Sequence, residues 1–258
     1  MKIFLIVFCF IANWANSQDV KYSFYTNFVK DSLPLKEENA SYSNQNKWYN
    51  TISINDSIFV YNSLDLDIDF YGDSLVFDLH SIEYHHEDHV RLLGQHHYKK
   101  LDKGWLIGTN KGEWGGSLFW VEENQKDYKY IANANVNKIF NWEGKTVVLE
   151  GVSHINISEG YLIEVHTDLT LDTLVVFPES PYNAVVGGDN VLYVVTDFIL
   201  YKVDKTGIYT QLYDFSDWPQ LNSDLTYSNN QLYLGMLNGV ARFDLKENTI
   251  EWFKFKNE

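Results

Sequence analysis

Six of the chain's eight histidines, His80, His85, His86, His89, His96 and His97, fall within eighteen residues, with Glu83, Glu87 and Asp88 among them. Neutral imidazoles and carboxylates are ligands for zinc, copper or iron. On a helix His85 and His89 would face one way; on a strand His86 and Asp88 would share a face. The spacing matches no strong signature such as H-E-x-x-H, so a site for a divalent metal on His85, His86 and His89 competes with a solvated loop joining two strand units. Asp65, Asp67, Asp69 and Asp73 open like a calcium loop, yet Phe70 stands where glycine is required and Val76 where the distal glutamate belongs. Leu64, Leu66, Ile68 and Phe70 alternate with the acids, which reads as a strand with one wet face. In Lys111-Gly112-Glu113-Trp114-Gly115-Gly116, a carboxylate and an indole sit on a glycine-rich tip. Aromatic faces bind sugars and cations, which makes Glu113 and Trp114 ligand-binding candidates; otherwise Trp114 folds back between blades. Nucleophile elbow, phosphate loop and dinucleotide fingerprint are all missing, and no catalytic residue is assigned.

The elements that must position these residues repeat. Leu232-Tyr233-Leu234 is a short strand, Gly235 and Gly239 bracket a turn and are expected to supply positive φ, Val240–Phe243 is a second strand, Asp244–Asn248 a polar turn and Thr249–Phe253 a third strand. Forty residues upstream, Leu192–Val194, Tyr201–Asp204 and Gln211–Tyr213 reproduce the pattern without a gap. Trp105–Gly108 with Leu118–Val121 is a third copy. Thr146–Leu149, a longer hairpin loop, Tyr161–Val165 and Leu174–Phe177 form a fourth. With Leu106, Val148, Tyr193 and Tyr233 equivalent, the steps are 42, 45 and 40 residues. That period in all-β units predicts a single β-propeller of about five or more four-stranded blades, one of them built partly from each end of the chain. A β-sandwich is the alternative, but it does not require the self-similarity.

Tyr233, Gly235, Asn238, Gly239, Phe243 and Asp244, and less fully Trp105, Gly108, Asn110, Lys111 and Gly112, resemble the repeat of two-component-regulator propellers. The resemblance implies the fold. In that family the propeller is commonly the periplasmic sensing half of a membrane-spanning protein; no kinase or membrane helix is expected after Phe253 here, so the resemblance carries no signalling role.

Met1-Lys2, the apolar run Ile3–Ala12 and the small residues Ala15-Asn16-Ser17 read as a signal peptide over residues 1–17. The run is too short to span a bilayer, so the expected product is secreted or periplasmic without membrane insertion. Cys9, the only cysteine, lies within the leader, leaving no disulfide to support the rest. Residues 18–258 then form one propeller domain, in which 18–50 is an irregular, polar segment and Ser57–Asn62, Leu64–Phe70 and Leu75–His80 are strands. A formal net charge of −15 argues against nucleic acid and anionic membrane surfaces as partners. The functional expectation is an exported, non-enzymatic propeller that binds a protein, small-molecule or carbohydrate partner through loops on one face. The alternative is a metal-dependent hydrolase using the His80–His97 cluster.

Overall fold

The computed structural model describes residues 22–23, 28–31, 49–54, 57–62, 95–123, 128–154, 157–188, 190–218 and 224–256. Among the described residues, alternating apolar residues and short polar turns give twenty β-strands in five antiparallel sheets, which are the blades of a β-propeller. Blade I joins β3 (Tyr49–Ile54) and β4 (Ser57–Asn62) to the short β1 (Tyr22–Ser23). Blade II is β5 (Gln95–Leu101), β6 (Gly104–Asn110), β7 (Ser117–Glu122) and β8 (Tyr128–Asn133). Blade III is β9 (Val136–Trp142), β10 (Lys145–His154), β11 (Ile157–Val165) and β12 (Leu171–Phe177). Blade IV is β13 (Pro181–Val186), β14 (Leu192–Thr196), β15 (Ile199–Val203) and β16 (Tyr209–Asp214). Blade V is β17 (Asp224–Ser228), β18 (Gln231–Met236), β19 (Gly239–Asp244) and β20 (Thr249–Phe255), with β2 (Phe28–Asp31) added outside β20.

The first strand of each blade packs on its neighbour: β9 on β5 and β6, β13 on β9 and β10, β17 on β13, and β3 on β17 and β18. Blades II, III, IV, V and I therefore follow one another around an axis. Five separate sheets rule out a two-sheet sandwich. Leu106, Val148, Tyr193 and Tyr233 all lie on the second strand of their blades and are all buried, so the repeat read from sequence is the structural one. The core is divided among the blade interfaces. Between II and III, Leu106, Leu118, Val136 and Val148 are fully enclosed, each worth roughly 1.5–3 kcal/mol of burial.

Three expectations change. The 18–50 segment supplies strands β1 and β2, and β2 pairs with β20 through Phe28–Phe255 to Asp31–Trp252, so blade V does draw on both ends of the chain. Gly235 and Gly239 do not take positive φ; the β18–β19 turn uses Asn238 at φ 62 instead. Gly239 is glycine because an added Cβ would sit 2.7 Å from Cη2 of Trp252 and 2.5 Å from the Phe253 carbonyl. The hairpin loop after Leu149 is not a loop. β10 and β11 pair without a break from Thr146–Val165 to His154–Ile157, which carries Glu150 and Glu159 beyond the usual blade length. The strands expected at Leu64–Phe70 and Leu75–His80 and the Asp65–Asp73 group lie outside the described residues, as does the leader.

Candidate functional site

The interruption of the repeat in blade II is a tied hairpin tip. Gly112 and Gly115, at φ 61 and 79, let the chain turn back on itself between β6 and β7. The Lys111 amide donates to the Gly115 carbonyl at 2.9 Å and the Gly115 amide to the Gly112 carbonyl at 3.1 Å, closing one 3-10 turn over Gly112–Trp114. Asn110 Oδ1 accepts from the Gly112 amide at 2.7 Å, and Asn135 Nδ2 donates to the Gly112 carbonyl at 2.7 Å. The tip is therefore held on both sides, and it presents Trp114 with 78% of its surface exposed. Of the two sequence readings of Trp114, packing between blades is the one that fails.

Glu113 points to blade III, where its Oε2 lies 2.6 Å from His154 Nδ1 at the end of β10. The two hairpins thus meet at their ends. Beneath the contact lies a cleft of about 500 Å³, walled on one side by Lys111, Trp114 and Gly115–Ser117, on the other by Glu150–Val152, Glu159 and Tyr161, and floored by the β8–β9 connection at Asn133–Asn135. The floor is fixed by backbone bonds, Ala134 amide to Gly116 carbonyl at 3.2 Å and Gly151 amide to Asn135 carbonyl at 3.0 Å.

Strand period explains which side chains enter the cleft. On β10, Val148 packs toward blade II and Leu149 toward blade IV, so Glu150 and Val152 follow Val148 onto the blade II face. Tyr161 pairs opposite Glu150, and Glu159 opposite Val152. On the other face Gly151 and Gly160 leave room for blade IV: a Cβ on Gly151 would come 2.6 Å from Pro181 Cδ and Ser180 Oγ, and one on Gly160 2.8 Å from Pro181 Cγ. A β-bulge falls between Leu149 and Glu150 in the pairing with β9, a device that re-aims side chains beside sites. It frees Asn137 to accept from Asn110 Nδ2 at 2.5 Å and to donate to the Pro181 carbonyl at 2.6 Å.

Burial, reinforced by the like charge of Glu159, raises the Glu150 carboxyl from 4.5 to about 7. The Tyr161 phenol is also raised, chiefly by the charge of Glu159, to which its hydroxyl lies at 3.4 Å. The cleft thus holds two glutamates, of which Glu150 is held well above the usual carboxylate range, under an exposed indole. Of the sequence candidates, Trp114 lines this cleft and Glu113 is in contact with His154. Glu150 and Glu159 were missed because their segment read as loop, and Tyr161 was read only as the start of a strand. The signal was there in the alternation of Val148, Glu150 and Val152 about Gly151.

A second polar system runs through the inner strands. Lys138 Nζ donates to Asn183 Oδ1 at 2.7 Å and to the Ala184 carbonyl at 2.8 Å, and Asn183 Nδ2 donates to Asp224 Oδ1 at 3.0 Å. Thr51 and Thr226 join blades I and V at 3.1 Å. Burial lowers the Lys138 ammonium pKa, and Asp224 opposes that shift. These side chains stitch blade to blade.

His85, His86 and His89 lie outside the described residues. His97, from the same cluster, is buried on β5 opposite Gly108, so the end of the cluster is blade rather than loop. Among the described residues no group of three or more His, Cys, Asp or Glu is placed to hold a metal ion. Nor is any described helix long and apolar enough to cross a membrane.

No protein-family model and no curated protein matches the chain. Solved structures similar to it include the extracellular domain of a hybrid two-component system from B. thetaiotaomicron, at 14% identity and TM-score 0.46, covering 63% of this chain and 24% of that one. A second structure of that extracellular domain, described as a one-component system, is similar at 10% identity and TM-score 0.43 over 88% and 34%. Virginiamycin B lyase from Staphylococcus aureus is similar at 12% identity and TM-score 0.39 over 65% and 72%. The chain thus spans about a quarter to a third of the two extracellular-domain chains it matches, and its propeller architecture stands on its own sheet order and blade contacts.

Proposed function

We propose that this protein is an exported binding propeller that takes a small organic ligand in the cleft between blades II and III. One observation carries the reading: an indole 78% exposed, on a loop fixed by main-chain and asparagine hydrogen bonds, over a concave space of about 500 Å³. Exposing a tryptophan costs burial energy that folding would otherwise gain, and fixing the loop beforehand removes the ordering cost that binding would otherwise incur. Ligand clefts commonly have this size, with a few convergent polar groups. Export follows from the leader read over residues 1–17.

The test is an array of glycans and small amines probed with labelled protein, repeated with Trp114→Ala and with Ile208→Ala, an exposed apolar residue of blade IV. Hits lost in the first variant and kept in the second support the cleft. Hits indifferent to Trp114→Ala, or no hits at all, refute it.

A further inference from the structure

Trp114, Glu150, Glu159 and Tyr161 do not make a neutral site. We infer that the cleft is built for an organic cation, an ammonium group on a stem with a flat or apolar face, seated between Glu150 and Glu159 with the stem against Trp114. The inference rests on the reading of the cleft as a ligand site and adds its chemistry.

Three observations converge. The two glutamates come from paired strands and enter the same space, Glu150 opposite Tyr161 and Glu159 two pairs further along, opposite Val152. Diagonal neighbours of this kind lie roughly 7–8 Å apart at Cα, which suits one ammonium donating to both carboxylates. The indole supplies an exposed π face, which attracts cations and stacks on apolar stems. The remaining groups do not cancel this polarity. Glu113 is taken up by His154 at the rim, Lys111 supplies one positive charge, and Tyr161 adds a phenol that can accept from an ammonium. Two carboxylates and a phenol fall short of the six to eight oxygens that a calcium ion takes, so a cation with its own organic bulk fits better than a bare one.

The state of Glu150 then acquires a meaning. A cation would draw its proton off, so binding should strengthen as pH rises from 6 to 8 and should release a fraction of a proton near pH 7. The groups that share the cleft with Glu150 are Glu159 and Tyr161 from β11 and Lys111 from the blade II tip, with Glu113 and His154 in contact at the rim.

The experiment uses three probes of nearly equal shape, 2-phenylethylammonium, 2-phenylethanol and phenylacetate, followed by the indole N–H resonance of Trp114 in the full protein, assigned by its absence in Trp114→Phe. The expected order is ammonium over alcohol by at least about tenfold, with phenylacetate weakest, and calorimetry in two buffers should show proton release for the ammonium alone. Glu150→Gln with Glu159→Gln should bring the ammonium down to the alcohol. Equal or tighter binding of the alcohol overturns the cation while leaving the cleft standing. Failure of every probe to move the Trp114 resonance at millimolar concentration overturns both.

Discussion

Glu150 is a place where the fold gives up stability, and the sacrifice can be measured. Its carboxyl titrates at about 7 in the folded chain against an ordinary 4.5. Below pH 4 both folded and unfolded chains hold the proton and Glu150 contributes nothing. Between 4.5 and 7 the unfolded chain has released a proton that the folded chain keeps, so folding weakens as pH rises, and above 7 the loss is complete. At ~1.36 kcal/mol per tenfold change the full difference is ~3 kcal/mol. Glu150 is only half-buried, and solvent screening brings the expected loss to about 1.5 kcal/mol. Glu150→Gln keeps the shape and removes the titration. It should therefore match the wild type in urea unfolding at pH 4 and exceed it by about 1.5 kcal/mol at pH 8. Glu159→Gln should recover a smaller part, because burial, the larger cause, remains. An advantage of Glu150→Gln that is equal at both pH values, or a variant less stable than wild type at pH 8, would refute the reasoning.

Other changes test the scaffold around the cleft. Gly160→Ala drives a Cβ into Pro181 and against the Glu150 carbonyl, and thermal unfolding should show a loss of about 2–3 kcal/mol. Gly112→Ala meets no atom within 4 Å but must hold φ 61, so its loss should be near 1 kcal/mol. Lys138→Met leaves Asp224 without its cation and should cost about 3 kcal/mol, with Lys138→Met/Asp224→Asn costing less than the two single changes added; strict additivity would show that the pair is not coupled. Lys30→Ala removes an exposed ion pair to Glu251 at 2.6 Å and should change stability by less than about 1 kcal/mol.

The blades were legible because their signal is repeated burial. Leu106, Val148, Tyr193 and Tyr233 must each be apolar for the same geometric reason, and four copies of one constraint stand above local noise. What stayed hidden depends on pairs that no single segment contains. β2 reads as polar coil because Lys30 and Asp31 look outward, and it is a strand only because β20 offers an unpaired edge. The β10–β11 extension read as loop because Gly151 and Gly160 weaken any strand pattern. Their reason is Pro181, some twenty residues further along the chain. Trp114 was visible as a residue type on a glycine-rich tip, but whether it faced water or a neighbouring blade turned on Asn135 reaching across to the Gly112 carbonyl.

The same pair of glycines also explains why the cleft lies between blades II and III. An ordinary blade hairpin ends where its side chains run out of a neighbour to pack on. By removing their side chains at 151 and 160, β10 and β11 accept Pro181 from blade IV closely and continue past that limit. One face of the extension is thus supported by blade IV, and the other is left to face the tip of blade II with Glu150, Val152, Glu159 and Tyr161. Among the described residues the hairpin ends then meet through Glu113 and His154, at 2.6 Å. A site made this way has a rigid back wall and a light closure, and its depth is set by how far the hairpin extends, independently of the blade core below. The repeat supplies a stiff ring, and the departures from it, a tip lengthened in blade II and a hairpin lengthened in blade III, place an indole and two carboxylates around one space.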